Sequence, residues 1–274
     1  MDITQIVQIV REAGELALKY EGGNCRIDYK SDGTLVTDAD KLVGEFVTRR
    51  IHGLFPDHLI IQEETVDPKI HTPERLRQGY VWVIDPIDGT TSFREAFHSW
   101  GILAGLLYNG EPVEGIAFYP RYQEMFFTDG RKAYWDYEHV KKELTVSAQP
   151  DYRNSPLYKD HRMKNLVINV DPLAFQRFDF SDFSGRIFVQ TGVYAFTILA
   201  RGMSSCLLLT PGLDLTDLVS GFAIADKAGA EFRYFSGEPF HVTDLFHLGA
   251  SDKDIIACRK GDFDRVVQYF TPRN

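Results

Sequence analysis

Asp85 and Asp88 stand three residues apart in residues 81–93, V-W-V-I-D-P-I-D-G-T-T-S-F. Two carboxylates at that spacing, at the end of an apolar run, can converge on one point, as a hard divalent cation requires. Gly89, Thr90 and Thr91 follow at once, and their amides and hydroxyls can hold an anion beside that cation. Asp-Pro and Asp-Gly are also ordinary turn formers, so the same residues could do no more than end a strand. Three further acids share the placement: Asp40, Glu63 and Asp217 each lie at the end of an apolar strand or the start of a helix, where α/β folds assemble their sites. Oxygen donors without Cys or His point to Mg²⁺ or Mn²⁺ rather than Zn²⁺. Carboxylates around divalent ions, beside an anion cradle, describe metal-assisted hydrolysis of a phosphate ester.

The elements that must position these acids are legible from periodicity. Ile3, Ile6, Val7, Val10, Ala13, Ala17 and Leu18 recur at helical spacing, predicting a helix over 3–20 that Gly22-Gly23 ends. A polar loop, Lys30-Ser31-Asp32-Gly33-Thr34, precedes Leu35-Val36-Thr37 and a second helix carrying Leu42, Val43, Phe46, Val47 and Ile51. Thr37 with Asp40 three residues later has capping-box spacing, which gives Asp40 a structural reading beside the chemical one. Residues 58–64 read as a short apolar strand ending in Glu63-Glu64, and 81–84 as a buried strand that Pro86 closes. On a strand, adjacent glutamates face opposite ways, so at most one of the pair joins a site. Apolar runs at 101–108, 113–119 and 125–127 predict an antiparallel meander, continued at 132–134 and 144–147. The polar stretch 148–163 with two prolines marks a boundary between residues 1–150 and 151–274. Beyond it, strands at 165–170, 186–190 and 206–209 alternate with helices at 173–178, 195–201 and 217–228, the last capped by Thr216 or Asp217.

Composition narrows the function classes. The net charge of −9 and pI near 5.4 leave nothing to neutralise a phosphate backbone, which argues against a nucleic-acid binder. The three cysteines, Cys25, Cys206 and Cys258, form no C-x-x-C pair, which fits a reducing compartment and gives no zinc signature. Cys206 lies in an apolar run and reads as core rather than as a nucleophile. The histidines show no metal-binding spacing. The absence of a basic-then-apolar leader and of a long apolar segment predicts a soluble, cytoplasmic protein with no membrane partner.

The chain resembles the inositol monophosphatase family of magnesium-dependent, lithium-sensitive phosphomonoesterases. The resemblance rests on W-V-I-D-P-I-D-G-T-T-S-F, on Val36-Thr37-Asp38-Ala39-Asp40, on Ile61-Gln62-Glu63-Glu64, and on Asp217-Leu218-Val219-Ser220-Gly221 before Ala228-Gly229. It implies a layered αβαβα sandwich of mixed α+β and α/β character, commonly dimeric. It also implies two or three Mg²⁺ ions, with Mn²⁺ as a substitute and Li⁺ as an inhibitor. By resemblance, Glu63, Asp85 and the Ile87 carbonyl hold the first metal, while Asp85, Asp88 and Asp217 hold the second. Thr90, polarised by Asp40, orients the attacking water. The Gly89 and Thr90 amides and the Thr91 hydroxyl hold the phosphate, Thr191 and Gly192 lie near the alcohol, and Lys30 sits on a loop that helps recruit a further metal.

The sequence departs from the family pattern where the alcohol is read. Thr216 stands where the family usually has Trp, and Leu209-Thr210-Pro211 occupies the region where inositol-specific members carry a glutamate. Gln190-Thr191-Gly192 replaces a small Gly-Ser-Ala turn, and Arg131-Lys132-Ala133-Tyr134 a glycine-rich hairpin. The reading is hydrolysis of a small polyol or sugar phosphate, similar to inositol 1-phosphate. The alternatives are a 3′(2′),5′-bisphosphate nucleotidase, a fructose-1,6-bisphosphatase or a histidinol-phosphate phosphatase. The nucleotidases tend to have Gly-Thr-Lys-Glu-Phe where this chain has Gly-Thr-Thr-Ser-Phe. A different class, an inactive member acting as a binding or regulatory protein, would show a lost metal ligand, and none of the five positions is lost.

Overall fold

The computed structural model describes residues 3–23, 26–29, 35–138, 140–146, 167–183, 185–190, 192–248 and 250–273. The amphipathic start forms α1 (Thr4–Ala17), and residues 18–23 turn the chain out of it. A small antiparallel pair, β1 (Ile27–Tyr29) and β2 (Leu35–Thr37), leads into α2 (Asp38–Leu54). Next come β3 (Leu59–Gln62), a short α3 (Pro73–Leu76), β4 (Tyr80–Asp88) and α4 (Thr90–Arg94). The meander follows as β5 (Gly101–Tyr108), β6 (Glu111–Tyr119), β7 (Glu124–Thr128), β8 (Ala133–Tyr137) and β9 (Val140–Glu143). These strands make one seven-stranded sheet in the order β3-β4-β5-β6-β7-β8-β9, with only β3 and β4 parallel.

The second half supplies β10 (Val167–Val170), α5 (Ala174–Arg177), β11 (Phe178–Asp179), β12 (Arg186–Val189), α6 (Tyr194–Ala200), β13 (Cys206–Leu209) and α7 (Leu215–Lys227). It ends with β14 (Ala230–Tyr234), α8 (Leu245–Leu248), β15 (Ile255–Arg259), α9 (Phe263–Val266) and β16 (Thr271–Pro272). A five-stranded sheet runs β12-β10-β13-β15-β14, parallel through its first three strands, and β11 pairs with β16. The boundary expected at 148–163 lies outside the described residues.

Among the described residues, three apolar clusters fill the four interfaces between five layers, one of them packing both faces of the middle helical layer. Ile6, Val10, Val43 and Val47 of α1 and α2 pack on Trp82, Ile84, Ile102 and Phe118, one face of the large sheet. Val81, Val83, Leu103 and Leu107 on the other face meet Phe196, Leu218 and Val219 of α6 and α7, which also cover Leu207 and Phe232 of the second sheet. Ile168, Leu208 and Ile256 on that sheet's far side pack against Ala174 and Val266. Successive residues of β4 thus enter two different cores, so the strand reads as an unbroken apolar run rather than an alternation. The αβαβα sandwich is confirmed.

α7 lies directly on the large sheet because two glycines clear its path. A Cβ on Gly105 would come within 2.5 Å of Val219 Cγ1, and one on Gly115 within 2.3 Å of the Ser220 carbonyl oxygen. Ser220 Oγ donates to the Ile116 carbonyl at 2.7 Å. This close approach sets where the first turn of α7 falls relative to β4. Among the described residues, no helix is long and apolar enough to cross a membrane.

Several boundaries differ from expectation. β4 does not stop at Asp85: it continues through Pro86 to Asp88, with Asp85 opposite Leu103 and Asp88 opposite Gly101 across a register shift. The bulge accommodates the missing proline N–H and bends the strand. β3 ends at Gln62, and Glu63 with Glu64 opens a single 3₁₀ turn, Glu63–Thr65, so the alternating-face argument does not apply to them. α7 begins two residues early, and its cap is Asp214, not Thr216 or Asp217. The last meander strand is Val140–Glu143, which the lack of apolar alternation hid. Leu144, expected in a strand, follows it and bonds the Ala133 carbonyl at 2.8 Å. Cys206 and Cys258 are buried, unpaired thiols facing each other across β13 and β15, as a core reading of Cys206 requires.

Candidate active site

The large sheet delivers three acids to one edge of the molecule. β3 and β4 are parallel, so Glu63 leaves β3 beside the end of β4 that carries Asp85 and Asp88. Asp85 holds its own turn, with Oδ1 accepting from the Ile87 amide at 3.0 Å. Its carboxyl also hydrogen-bonds with Glu63. α7 brings Asp217 in from the second half. Asp217 is the N3 residue of a capping box: Asp214 Oδ1 accepts from the Thr216 amide at 2.8 Å and the Asp217 amide at 3.3 Å, while Asp217 Oδ2 accepts from the Asp214 amide at 2.9 Å. That leaves Asp217 Oδ1 outside the box.

Asp88 is fixed from the opposite layer. Its Oδ2 accepts from the Val193 amide at 3.2 Å. Gly192 lies so close that a Cβ there would sit 2.3 Å from Asp88 Oδ1 and 2.6 Å from Oδ2, and its φ of +64° adds a second reason for glycine. Gly192, expected near the alcohol, thus also packs on a carboxylate. Thr191 and Lys30 lie outside the described residues.

Asp40 carries both of its readings at once. Its Oδ2 accepts from the Thr37 amide at 2.7 Å and the Thr37 hydroxyl at 2.6 Å, completing the capping box of α2. Its Oδ1 faces Thr90 Oγ1 at 3.5 Å, and the same hydroxyl lies 3.3 Å from the Ile87 carbonyl oxygen. Gly89 takes the left-handed conformation expected of the turn, with φ +83°, and Thr90 starts the short α4. The first amides of a helix have no acceptor within it, and Gly89 and Thr91 are exposed.

The electrostatics are those of crowded carboxylates. Burial first, then Glu63, Asp88 and Asp217, hold Asp85 well above the usual carboxylate range. Burial pushes Asp88 up to about 7 against the Val193 hydrogen bond, with Glu63 adding to it. Burial and then the Asp214 charge push Asp217 up to about 8. Asp40 is raised by burial, opposed by its Thr37 bonds. The charges acting most strongly on Asp85 are all negative, and carboxylate plus carbonyl oxygens are the donors that a hard cation takes. Among the described residues, no three or more His, Cys, Asp or Glu side chains are grouped so that they could hold a metal ion as they stand. The donor chemistry and mutual repulsion nonetheless fit a divalent ion.

Sequence reasoning missed Val193, whose backbone amide carries no sequence signature, and the role of Asp214. Asp214 did carry a signal, the three-residue spacing to Asp217 that also marks Thr37 and Asp40.

A sequence profile of the inositol monophosphatase family matches residues 2–265. The chain is 37% identical over 250 residues to an inositol-1-monophosphatase of Bacillus subtilis, covering 90% of each protein. It is 26% identical over 252 residues to the 3′(2′),5′-bisphosphate nucleotidase CysQ of Salmonella typhimurium, covering 88% of this chain and 94% of that one. The fold is similar to that of the Thermotoga maritima IMPase, with a TM-score of 0.74 at 20% identity over 98% of this chain and 96% of the other. Carboxylates gathered beside a Gly-Thr-Thr turn, on a chain that this profile and the Bacillus relative match almost end to end, lead to one conclusion: the chain belongs to the inositol monophosphatase family and is a phosphoric monoester hydrolase.

Proposed function

We propose that the chain hydrolyses monoesters of small polyol or sugar phosphates with Mg²⁺ as its metal. The observation that carries this reading is the meeting of Asp85, Asp88, Glu63 and Asp217 next to a Thr90 hydroxyl that faces the buried Asp40. Glu63, Asp85 and the Ile87 carbonyl would hold one ion, and Asp85, Asp88 and Asp217 a second, with Mn²⁺ able to substitute. When bound, such ions lower the pKa of water and offset charge on the leaving oxygen.

The chain's own residues do the rest. Thr90 Oγ accepts a hydrogen bond from the attacking water and donates its own hydrogen to Asp40, whose pKa burial raises, favouring uptake of a proton. The Ile87 carbonyl, 3.3 Å from the same hydroxyl, is the competing acceptor for that one hydrogen, and a metal drawing on the carbonyl would leave it to Asp40. The Gly89 and Thr90 amides and the exposed Thr91 hydroxyl grip the phosphate, converting a collision into an oriented displacement. The Val193 amide and Gly192 keep Asp88 aligned.

The test is phosphate release from inositol 1-phosphate, glycerol 2-phosphate, fructose 1,6-bisphosphate, histidinol phosphate and 3′-phosphoadenosine 5′-phosphate. Each is run with Mg²⁺, with EDTA, and with Mg²⁺ plus Li⁺. Release from a polyol or sugar ester that EDTA abolishes and Li⁺ inhibits is the expected result. Release that EDTA leaves untouched would overturn the metal assignment. Light scattering on the same sample checks the homodimer that family membership leads us to propose.

A further inference from the structure

Tyr119 buries a polar atom for which its packing gives no reason. Its side chain is wholly buried in the core between the large sheet and the middle helical layer. Among the described residues, no group takes its hydroxyl hydrogen. The ring makes T-shaped contacts with Tyr194 at 4.7 Å and Phe126 at 6.0 Å, which phenylalanine would make equally well. A buried O–H without a partner lowers stability, so this oxygen has to be offset by something other than packing.

The sheet register places it beside the carboxylates. Asp88 on β4 stands opposite Gly101 on β5, and one step beyond the Ile102–Phe118 pair the register sets Gly101 against Tyr119 on β6. Residues directly opposite share a face of the sheet, so Asp88, Gly101 and Tyr119 form a row across three strands. Gly101 puts no side chain into that row. A Cβ there would come within 2.8 Å of Tyr119 Cε1 and 2.9 Å of Cδ1, so the tyrosine ring occupies the place of a β5 side chain, next to Asp88. Burial first, then the Asp88 charge, push the phenol well above its ordinary value, with Tyr194, Asp85 and Glu124 adding to it, so the hydroxyl keeps its hydrogen. The neighbouring Tyr194 is already engaged, donating to Glu124 Oε2 at 3.1 Å, while Arg201 Nη1 donates to Glu124 Oε1 at 3.1 Å. Asp88 takes one bond from the Val193 amide, and a carboxylate has roughly four acceptor sites.

We propose that Tyr119 is a positioning residue for the metal site: its hydroxyl donates across Gly101 to one water, which in turn donates to the Asp88 carboxylate. A water spans polar groups that stand beyond direct hydrogen-bond distance. The Val193 amide then holds Asp88 from the helical layer and Tyr119 holds it from the sheet, fixing the carboxylate before an ion arrives. Loss of such a hydrogen bond behind a ligand costs about 10- to 100-fold in metal affinity or activity. The inference rests on the Mg²⁺ reading above and adds to it a residue outside the ligand set.

The experiment follows Tm and phosphate release of the full chain against Mg²⁺ concentration for the parent, Tyr119→Phe and Tyr194→Phe. The substrate is whichever of the five esters named above the parent hydrolyses best. Tyr119→Phe keeps the ring and should need about 10-fold more Mg²⁺, both to raise Tm and to reach half-maximal release. Its kcat at saturating Mg²⁺ should stay near the parent's, a split that looser packing would not give, since that lowers kcat at every Mg²⁺ concentration. Tyr194→Phe removes a neighbouring hydroxyl that serves Glu124 and should leave the Mg²⁺ requirement unchanged. An unchanged requirement in Tyr119→Phe, or an equal rise in Tyr194→Phe, overturns the inference and leaves the hydrolase reading intact. A parent whose Tm ignores Mg²⁺ overturns the inference together with the metal assignment. A rise in the Mg²⁺ needed to raise Tm, in a chain whose parent releases phosphate from none of the esters, supports the positioning role and overturns only the polyol or sugar-phosphate reading.

Discussion

Gly192→Ala isolates the contact between the second half of the chain and Asp88. The new methyl group would lie 2.3 Å from Asp88 Oδ1, so the carboxylate or the backbone must retreat by about 1 Å to restore an ordinary contact. The φ of +64° adds the cost of a left-handed L-residue, about 1–2 kcal/mol. Misplacing a reacting group by about 1 Å can cost roughly 100-fold in rate, so kcat/KM should fall by about that much while stability falls by only a few kcal/mol. Gly229→Ala is the control: its φ is +98°, but a Cβ there meets nothing within 4 Å. It should lose similar stability from backbone strain and keep its activity. The assay is phosphate release at saturating Mg²⁺, with urea unfolding of both variants. Full activity in Gly192→Ala, or equal activity losses in both, would refute the idea that Gly192 matters through Asp88.

Three further outcomes are expected. Asp88→Asn and Asp217→Asn should abolish turnover yet leave the metal-free protein at least as stable as the parent, because each removes a repelled carboxylate; a large fall in Tm would contradict this. Asp88 and Asp217 sit above the unfolded carboxylate value of about 3.9, so the folded metal-free chain binds more protons than the unfolded chain between about pH 4 and pH 8. Its stability should therefore be greatest near the acid end of that window and fall as pH rises through about 7 to 8. Mg²⁺ should raise Tm more at about pH 8.5 than at about pH 5.5, and a flat, pH-independent Tm in EDTA would be inconsistent with the cluster. Glu63→Gln should reduce activity by about 100-fold or more, because Glu63 meets Asp85. Glu64→Gln should be milder, and the reverse ranking would move the ligand role to Glu64.

The helices and strands of the first half were legible because they depend on local patterns, whereas the layer order came from the family resemblance. Apolar periodicity marked α1, α2 and the meander. The run V-W-V-I-D-P-I-D-G-T-T has no polar residue until its acids, as a strand buried on both faces must read. What stayed hidden was carried by backbone geometry. Whether Pro86 ends β4 or is absorbed by a bulge depends on how β5 pairs, and the cap of α7 was decided by which aspartate reaches the free amides. β9 is an exposed edge of Val-Lys-Lys-Glu that owes its strand state to β8 rather than to its own composition.

The sequence by itself determined which residue types are available, five acids at element ends and a Gly-Thr-Thr turn, since side-chain chemistry and short-range turn preference need no fold to be stated. Only the tertiary structure decided that Gly192 and Val193 close on Asp88 from 104 and 105 positions away. It also decided that Asp171 spends its carboxylate mainly on the Leu173, Ala174 and Thr210 amides. The physical reason is that hydrogen-bond partners and burial depend on which distant backbone approaches a side chain, and that is fixed by packing α6 and α7 between two sheets rather than by any local run of residues.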